Sequence, residues 1–296
     1  MSYVPQRPLG VILAGGRGSR FGDPQKCLRP VCGVPMIMRV VASLQPYVSR
    51  LVVATTRGHA AVAWLARTWD MEVIYTEGGG YERDISALLK LAPVVIASCD
   101  LPFLEPHHVA ELIENDVFTS AVKDGEYIGL TWAPNGDLSK WTNMDLDVED
   151  VDDRRKWLQL SSSCQKPTYP IVVDPRTLLP HEDVEGLLEI SWAVRPVVVD
   201  VWTCTVLDGH HRLASLAARG LPVPVVPMDY ASLDVFTPDG LYFDKLAVIS
   251  SASRGERLGR RVTRHFYGGK HVSSLNHVEM SLGELANIAP LRCEPL

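Results

Sequence analysis

The chain has 296 residues, of which 46% are hydrophobic and 22% are charged, and its formal net charge is −6. This composition excludes a disordered tail, a collagen-like repeat and a coiled coil, and the length suits one large or two ordinary domains. No apolar run approaches the roughly 20 residues that a membrane-spanning helix needs, and the first apolar stretch, 9–14, is too short for a signal peptide. We therefore expect a soluble cytoplasmic protein of two domains.

Six cysteines are spread along the chain without a Cys-x-x-Cys pair. This spacing does not suit a zinc knuckle, and thiols stay reduced in the cytoplasm. We therefore expect six free thiols and no disulfide framework.

The first hundred residues alternate short apolar runs with amphipathic segments. The apolar runs predict strands at 9–14, 51–54, 72–75 and 93–99. The segments between them predict helices that start after Pro35, at 62–69 and at 85–89. Strands that alternate with helices imply right-handed crossovers, and so an α/β fold with a doubly wound, mostly parallel sheet. Ligands bind beyond the carboxyl ends of the strands in such sheets.

The alternation fades after residue 116. A further strand is predicted at 127–132, followed by an acidic segment at 143–153 and a serine linker at 161–163. We place the first domain at 1–160 and the second at 166–296. In the second domain the pattern predicts strands at 170–173 and 196–201 and helices at 182–194 and 212–219.

A glycine loop, Gly15-Gly-Arg-Gly-Ser-Arg20, follows the first predicted strand. Glycines let backbone N–H groups approach phosphate oxygens, while Arg17 or Arg20 and Lys26 add positive charge where a triphosphate would lie. The loop is neither a Walker loop, which needs Gly-Lys-Ser/Thr, nor a dinucleotide fingerprint, which needs glycine where Phe21 stands. The alternative is an ordinary glycine-rich surface turn.

The segment 13–22, with Lys26-Cys-Leu28 and Gly33-Val-Pro-Met36, resembles the nucleotidyltransferases of the nucleotide-sugar pyrophosphorylase-like superfamily. The resemblance implies that a phosphate acceptor attacks the α-phosphate of an NTP and that pyrophosphate leaves. It also implies that Arg20 and Lys26 are catalytic. The residues that it implies for triphosphate binding are Gly15, Gly16, Arg17, Gly18 and Ser19.

Asp100 matches the metal-binding aspartate of this superfamily, and Mg²⁺ accepts carboxylate, water and phosphate oxygens. The resemblance implies that either Asp145 or Asp147 is the counterpart of the second metal aspartate of these enzymes. For Asp100 alone, a helix N-cap is the alternative. The segments 78–84 and 101–103 are most similar to the guanylyltransferases that act on adenosylcobinamide phosphate. The expected nucleotide is GTP or CTP.

A second set of polar residues, Asp208-Gly-His-His-Arg212, is predicted on a turn between a strand and a helix. Histidine and arginine at a helix N-terminus can bind phosphate oxygens. Zinc is disfavoured, because adjacent histidines seldom ligate one metal and no further Cys or His stands at ligand spacing. A structural turn with buried histidines is the alternative.

Five segments in fixed order resemble the free serine kinases of the ParB/sulfiredoxin-like fold, which is a smaller α+β domain. They are 179–182, 196–200, 207–213, 224–230 and 263–265. The resemblance implies Mg²⁺-dependent phosphorylation of a free amino acid, serine or threonine, by ATP or ADP. Glu182 would be the general base, and Asp208 would bind substrate or Mg²⁺. Phosphate contacts are implied for Gly209, His210, His211 and Arg212, and substrate contacts for Thr263, Arg264 and His265.

The two sets of motifs together predict a bifunctional transferase that acts on small molecules, with no membrane partner. The phosphorylated amino acid could itself be the nucleotidyl acceptor. One alternative is a kinase whose first domain is degenerate and only senses a nucleotide. Another is a ParB-like regulator that binds nucleic acid through the arginines of 254–264, which the net charge of −6 and the lack of a helix-turn-helix pattern disfavour.

Overall fold

The computed structural model describes residues 7–79, 81–162 and 164–295. Its strands are β1 Leu9–Leu13, β2 Pro30–Val31, β3 Val34–Pro35, β4 Arg50–Thr55, β5 Glu72–Tyr75, β6 Val94–Ser98, β7 Phe118–Lys123, β8 Glu126–Ala133, β9 Trp141–Asp145, β10 Ile171–Val173, β11 Ala193–Val194, β12 Val197–Asp200, β13 Val206–Asp208, β14 Val223–Met228, β15 Asp234–Phe236, β16 Arg264–Tyr267, β17 Lys270–His271 and β18 Met280–Ser281. Its α-helices are α1 Met36–Leu44, α2 Ala60–Thr68, α3 Tyr81–Leu88, α4 Pro106–Ile113, α5 Arg154–Ser162, α6 His210–Ala218, α7 Lys245–Ser253 and α8 Leu282–Asn287.

The chain forms two compact units, and their boundaries do not follow the sequence order strictly. The first unit comprises the residues up to Arg29, Met36–Arg67 and Met71–Leu160. The second comprises Ser161–Leu296 together with two short segments from the first half of the chain, Pro30–Pro35 and Thr68–Asp70.

The first unit contains a seven-stranded sheet in the order β5-β4-β1-β6-β8-β7-β9. The pairs β5–β4, β4–β1, β1–β6 and β7–β9 are parallel, while β8 runs antiparallel to both of its neighbours. The expected mostly parallel α/β sheet is therefore confirmed. Every residue of β1 is buried, as the apolar run at 9–13 requires of a central strand covered on both faces.

Side chains from β1, β4 and β6 form one buried cluster on a face of this sheet, and Leu88 of α3 packs against them. Burying these aliphatic groups stabilises the sheet by about 25 cal/mol for each Å² of apolar surface removed from water. The glycine loop and Asp100 directly follow β1 and β6, whose side chains are packed in this cluster. The core therefore fixes where those groups lie.

The second unit is built mostly of short strands. A four-stranded sheet in the order β10-β14-β12-β13 carries α6, and β15, β16 and β17 form a separate antiparallel sheet. The strand β3 belongs to this unit and contacts β14, where Asp229 N–H donates to the Gly33 carbonyl at 2.8 Å.

Two predicted elements are wrong. The helix predicted at 182–194 is irregular chain up to β11, because Gly186 has a φ of +70° and Leu188 N–H bonds the Ser215 hydroxyl at 2.7 Å instead of a helical carbonyl. The linker predicted at 161–163 is also wrong where the structure describes it, since α5 continues to Ser162. Ser163 lies outside the described residues.

The expectation of six free thiols is corrected by three disulfides, Cys27–Cys99, Cys32–Cys164 and Cys204–Cys293. The partners are 72, 132 and 89 residues apart in sequence. Sequence spacing therefore could not reveal that the fold brings each pair of Cα atoms to within 5.4–5.8 Å of one another.

In the described part of the chain, no helix has the length and apolar character that crossing a bilayer demands.

Candidate active sites

The first unit holds a cavity of about 430 Å³ at the carboxyl ends of β1 and β6. This is the edge at which open parallel sheets bind ligands. Of the residues predicted for the nucleotide, five line the cavity: Gly15, Gly16, Arg17, Lys26 and Asp100. Gly18, Ser19 and Arg20 do not line it, and Arg20 instead forms an exposed ion pair with Asp152 at 2.6 Å. The structure thus brings the front of the loop, the lysine and the aspartate together.

Two glycines of the loop have different physical reasons to be glycine. Gly18 has a φ of +59°, and a Cβ there would lie 2.2 Å from the Asp23 carbonyl oxygen, so the turn itself requires glycine. A Cβ on Gly16 would meet nothing within 4 Å. Gly16 is therefore open on the side where a ligand can approach the backbone.

Lys26 and Asp100 form an ion pair inside the cavity, in which their side chains are 15% and 9% exposed. Ser98 donates its hydroxyl hydrogen to the other Asp100 oxygen, and Lys26 Nζ also donates to the Val151 carbonyl at 2.9 Å. An ammonium group held next to a carboxylate of the kind that binds metal ions can donate hydrogen bonds to the phosphates of a bound nucleotide.

Asp150, which was not predicted from the sequence, lies next to this site. Val151 N–H donates to the Asp100 carbonyl at 2.9 Å, so the chain at 150–152 lies against Asp100. Burial raises the pKa of the Asp150 carboxyl, and the negative charges of Asp152 and Asp100 add to that rise. The acidic run at 150–153 was a signal in the sequence, but it did not show which of its carboxylates lies near Asp100.

The two aspartates predicted as the second metal ligand lie elsewhere. Asp145 is exposed on β9, and the exposed Asp147 pairs with Lys123 at 2.7 Å. That hydrogen bond, with a second that Lys123 donates to Glu149, raises the pKa of Lys123 to about 12. Neither Asp145 nor Asp147 lines the cavity. The carboxylates that line it are Asp84 and Asp100, and Asp150 is close enough to Asp100 for the charge of Asp100 to raise its pKa.

Among residues 7–79, 81–162 and 164–295, no group of three or more His, Cys, Asp or Glu side chains is arranged to hold a metal ion. A Mg²⁺ site in the first unit would therefore need nucleotide and water oxygens beside Asp100 and Asp150, which is how Mg²⁺ is usually held with phosphates. The raised pKa of Asp150 fits this, because a cation would relieve the crowding of negative charge.

The second unit has its own cavity, also of about 430 Å³. It gathers residues from three separate predicted segments, which share polar or charged side chains apart from one glycine: Glu182, Asp208, Gly209, His210, His211, Arg212, Thr263 and Arg264. His265 is not among the lining residues, since it is 1% exposed and its Nε2 lies 3.3 Å from the Tyr230 hydroxyl.

Glu182 is held in a fixed orientation within this cavity. Its Oε1 accepts hydrogen bonds from both the backbone N–H and the hydroxyl of Thr263, each at 3.0 Å. Its Oε2 lies 3.8 Å from His210 Nδ1. Because one oxygen is engaged by Thr263, the second is the oxygen that can accept a proton from a ligand.

Three histidines near Glu182 are buried and neutral around pH 7. Desolvation is the main cause that lowers the pKa of His181, His210 and His265, the last to about 3. The nearby His181 adds to this lowering for His210 and His265, and its ring centroid lies 4.7 Å from that of His210 and 5.9 Å from that of His265. These rings can therefore orient neighbours by hydrogen bonds but do not supply positive charge for a phosphate.

The positive charge of the cavity comes from arginines. Arg212 lies in the first turn of α6 and pairs with Asp208. A Cβ on Gly209 would lie 2.7 Å from the Arg212 guanidinium, and Gly209 has a φ of +96°, so this turn requires glycine. Arg261 and His271 also line the cavity and were missed. Arg261 lies in the arginine-rich segment at 254–264, whereas nothing in the sequence distinguished His271.

The family comparison concerns the part of the chain that contains most of the first unit. A family model described as "MobA-like NTP transferase domain" matches residues 10–169, more than half of the chain. The molybdenum cofactor guanylyltransferase of Cupriavidus necator is 36% identical over 107 residues, which cover 36% of this chain and 54% of that protein. The probable molybdenum cofactor guanylyltransferase of Natronomonas pharaonis is 33% identical over 112 residues, which cover 36% and 55%. The chain thus spans about half the length of the curated relatives it matches.

Two solved structures align with about half of the chain. A homologue of Mycobacterium tuberculosis Rv0371c from Mycobacterium sp. strain JC1 is 18% identical with a TM-score of 0.43, covering 53% of this chain and 96% of the other. A nucleotidyl transferase from Methanothermobacter thermautotroptrophicus is 16% identical with a TM-score of 0.44, covering 53% and 97%.

Proposed function

The chain belongs to the MobA-like NTP transferase family, and from this premise we propose that its first unit transfers the guanylyl group of GTP to a phosphorylated acceptor. The observation that carries the proposal is the single cavity in which the open backbone at Gly16 and the Lys26–Asp100 ion pair lie together. Guanine as the base is supported by the names of the relatives, both guanylyltransferases.

In this reaction an acceptor phosphate oxygen attacks the α-phosphorus of GTP, the bond from that phosphorus to the bridging oxygen breaks, and pyrophosphate leaves. The open backbone around Gly16 binds phosphate oxygens, and Lys26 neutralises the charge that grows on them. Asp100 and Asp150 would hold Mg²⁺, which supplies further charge neutralisation when bound. Ser98 keeps the Asp100 carboxylate oriented through its hydroxyl.

The test is pyrophosphate release by the purified chain with Mg²⁺, each of the four NTPs and a panel of acceptors. The panel contains molybdopterin, adenosylcobinamide phosphate, phosphoserine and phosphothreonine. We expect acceptor-dependent release that is fastest with GTP, and the acceptor that supports it identifies the substrate. Failure of every combination, with GTP binding absent as well, would overturn the proposal. Binding without turnover would instead favour the degenerate nucleotide sensor.

A second candidate function is supported by the cavity of the second unit. We propose that this unit phosphorylates the hydroxyl of a free amino acid, serine or threonine, with ATP or ADP as the donor. Glu182 Oε2 would accept the hydroxyl proton as the alcohol oxygen attacks the terminal phosphorus, and the shortened nucleotide leaves. Arg212, Arg261 and Arg264 would bind the phosphates. The convergence of three separate predicted segments on one cavity is the observation that favours this function.

Mass spectrometry after incubation with serine or threonine, ATP or ADP and Mg²⁺ tests the kinase proposal. A mass increase of one phosphate on the amino acid is the expected result. If the same mixture with GTP then yields a guanosine-diphosphate-linked amino acid, the two units act consecutively. The nucleic-acid-binding alternative predicts instead a DNA complex that weakens steeply with added salt in a filter-binding titration.

A further inference from the structure

The disulfide Cys27–Cys99 lies in the wall of the first cavity. Each cysteine is the sequence neighbour of one half of the central ion pair, because Lys26 precedes Cys27 and Asp100 follows Cys99. Both cysteines are only 3% exposed, and both line the cavity. A small thiol reagent therefore meets this disulfide through the same space that a nucleotide would fill.

We propose that Cys27–Cys99 is a redox-controlled site, whose oxidised form holds the nucleotide-binding arrangement and whose reduction by a dithiol weakens nucleotide binding. This inference rests on the proposed nucleotidyl transfer in the first unit. It concerns the affinity for the Mg²⁺–nucleotide complex and not the identity of the acceptor.

The reason lies in how Lys26 is held. It begins a single turn of 3-10 helix, Lys26–Leu28, whose backbone hydrogen bonds are local, since Lys26 N–H donates to Asp23, Leu28 N–H to Gln25 and Arg29 N–H to Lys26. The disulfide ties this turn to the end of β6, with 5.5 Å between the two Cα atoms. A bound nucleotide would draw Lys26 Nζ from Asp100 towards phosphate, and the covalent bond would then keep the two segments together.

The chemistry of reduction is ordinary thiol–disulfide exchange. One thiolate of an added dithiol attacks a sulfur of Cys27–Cys99, which breaks the S–S bond and forms a mixed disulfide. The second thiolate of the reagent displaces the other cysteine. Two electrons pass to the protein sulfurs, which take up two protons, and the reagent is left as its own cyclic disulfide.

Binding and reduction must then affect each other equally. If reduction weakens nucleotide binding by some factor, saturating nucleotide makes the disulfide harder to reduce by that factor. We expect about a tenfold change, which corresponds to about 30 mV in the midpoint of a two-electron couple.

The chain offers a matched control, because Cys204–Cys293 lies in the second unit and neither of its cysteines lines the first cavity. The experiment titrates the full chain with GTP and Mg²⁺, oxidised and after dithiothreitol, by calorimetry. The double variant Cys27→Ser/Cys99→Ser should bind with the weaker affinity under both conditions. The double variant Cys204→Ser/Cys293→Ser should keep the tenfold response.

A second measurement does not depend on any variant. Thiol alkylation followed by peptide mass spectrometry gives the fraction of Cys27 and Cys99 reduced in a series of dithiothreitol redox buffers, with and without GTP and Mg²⁺. The expected result is a midpoint about 30 mV lower with nucleotide. Equal affinity of the oxidised and reduced chains, or free Cys27 and Cys99 thiols in the air-oxidised protein, would overturn the inference. Absence of GTP binding in both states would instead overturn the proposed function.

Discussion

Lys26 has two contacts that tie it to the first cavity, the ion pair with Asp100 and the hydrogen bond to the Val151 carbonyl. Replacing Lys26 by Met removes the charge that would neutralise the departing pyrophosphate. We expect kcat/KM for pyrophosphate release to fall by about 10²–10³, the usual loss when one transition-state donor is removed. Lys123→Met is the control, since Lys123 pairs with Asp147 and Glu149 outside the cavity. Equal losses in the two variants would contradict the role of Lys26.

Asp150 makes the stability of the protein depend on pH in a definite direction. Its folded-state pKa lies above the ordinary value of 3.8, so the folded state binds this proton more tightly than the unfolded state. This contribution to the free energy of unfolding is present below pH 3.8 and is lost as pH rises through the folded pKa. Asp150→Asn should therefore raise the metal-free Tm at pH 7 relative to the wild type.

The same substitution should also abolish any stabilisation of the protein by Mg²⁺ with GTP. The measurement is thermal unfolding at pH 4 and pH 7, with and without the ligands. The advantage of the variant should shrink towards pH 4. Asp145→Asn, on the exposed end of β9, should match the wild type throughout. A Tm for Asp150→Asn that is lower than the wild-type value at pH 7 would show that Asp150 makes favourable contacts instead.

Glu182 can be tested by an isosteric change, because Gln keeps an oxygen that accepts both hydrogen bonds from Thr263. Glu182→Gln removes the base, and we expect the rate of amino-acid phosphorylation to fall by about 10²–10⁴. Glu185→Gln is the control, since Glu185 is exposed and pairs with Arg260. A similar Tm with a lost rate would assign the effect to chemistry, whereas full activity would remove Glu182 from the reaction.

Two glycines in the loop between β1 and the turn at Lys26–Leu28 allow an effect on the stability of the protein to be distinguished from an effect on nucleotide binding. Gly18→Ala places a Cβ against the Asp23 carbonyl at a φ of +59°, so we expect a loss of at least about 1 kcal/mol in the free energy of unfolding. Gly16→Ala adds a Cβ in open space and should leave that free energy within about 0.5 kcal/mol of the wild type. Its GTP affinity should nevertheless fall, because the methyl group occupies the side open to phosphate. Urea denaturation and GTP titration of both variants measure the two effects.

Helices and strands with a clear pattern of apolar residues were predictable from the sequence. Segments whose conformation depends on contacts with residues far away in the sequence were not. The apolar runs of β1, β4 and β6 mark buried parallel strands, because nothing in such a strand needs to be polar. The pattern at 182–194 looked helical, yet Leu187 is 62% exposed, so its apolar spacing does not report a buried face. The sequence indicated the glycine loop, Asp100 and the histidine motif, since each places groups that can bind phosphate or a metal ion at a turn after a predicted strand. Asp150 and Arg261 were missed because only the fold selects among several like-charged neighbours.

At the scale of the whole molecule, a substitution of Trp69 tests whether the second unit needs a residue from the first half of the sequence for its stability. It stands in the first half of the sequence but belongs to the second unit, is fully buried, and donates from Nε1 to the Val201 carbonyl at 2.8 Å. Trp69→Ala should lower the free energy of unfolding by about 3–5 kcal/mol. Hydrogen exchange should show the loss at β12, which ends next to Val201. Trp192→Ala, at a 73% exposed site, should change little, and protection of β12 that is unaffected by Trp69→Ala would contradict this assignment.

The assignment of 30–35 and 68–70 to the second unit has a consequence for synthesis on the ribosome. The segment at 30–35 leaves the exit tunnel early, yet the strand β14 that it contacts is completed only at Met228. At about 5–20 residues per second, the delay is roughly 10–40 s. During that interval β3 lacks the strand β14 that it contacts, and the indole of Trp69 is exposed to water. The nascent polypeptide is therefore a suitable substrate for a chaperone. A gene divided between residues 160 and 161 would encode a second product that lacks the segments 30–35 and 68–70.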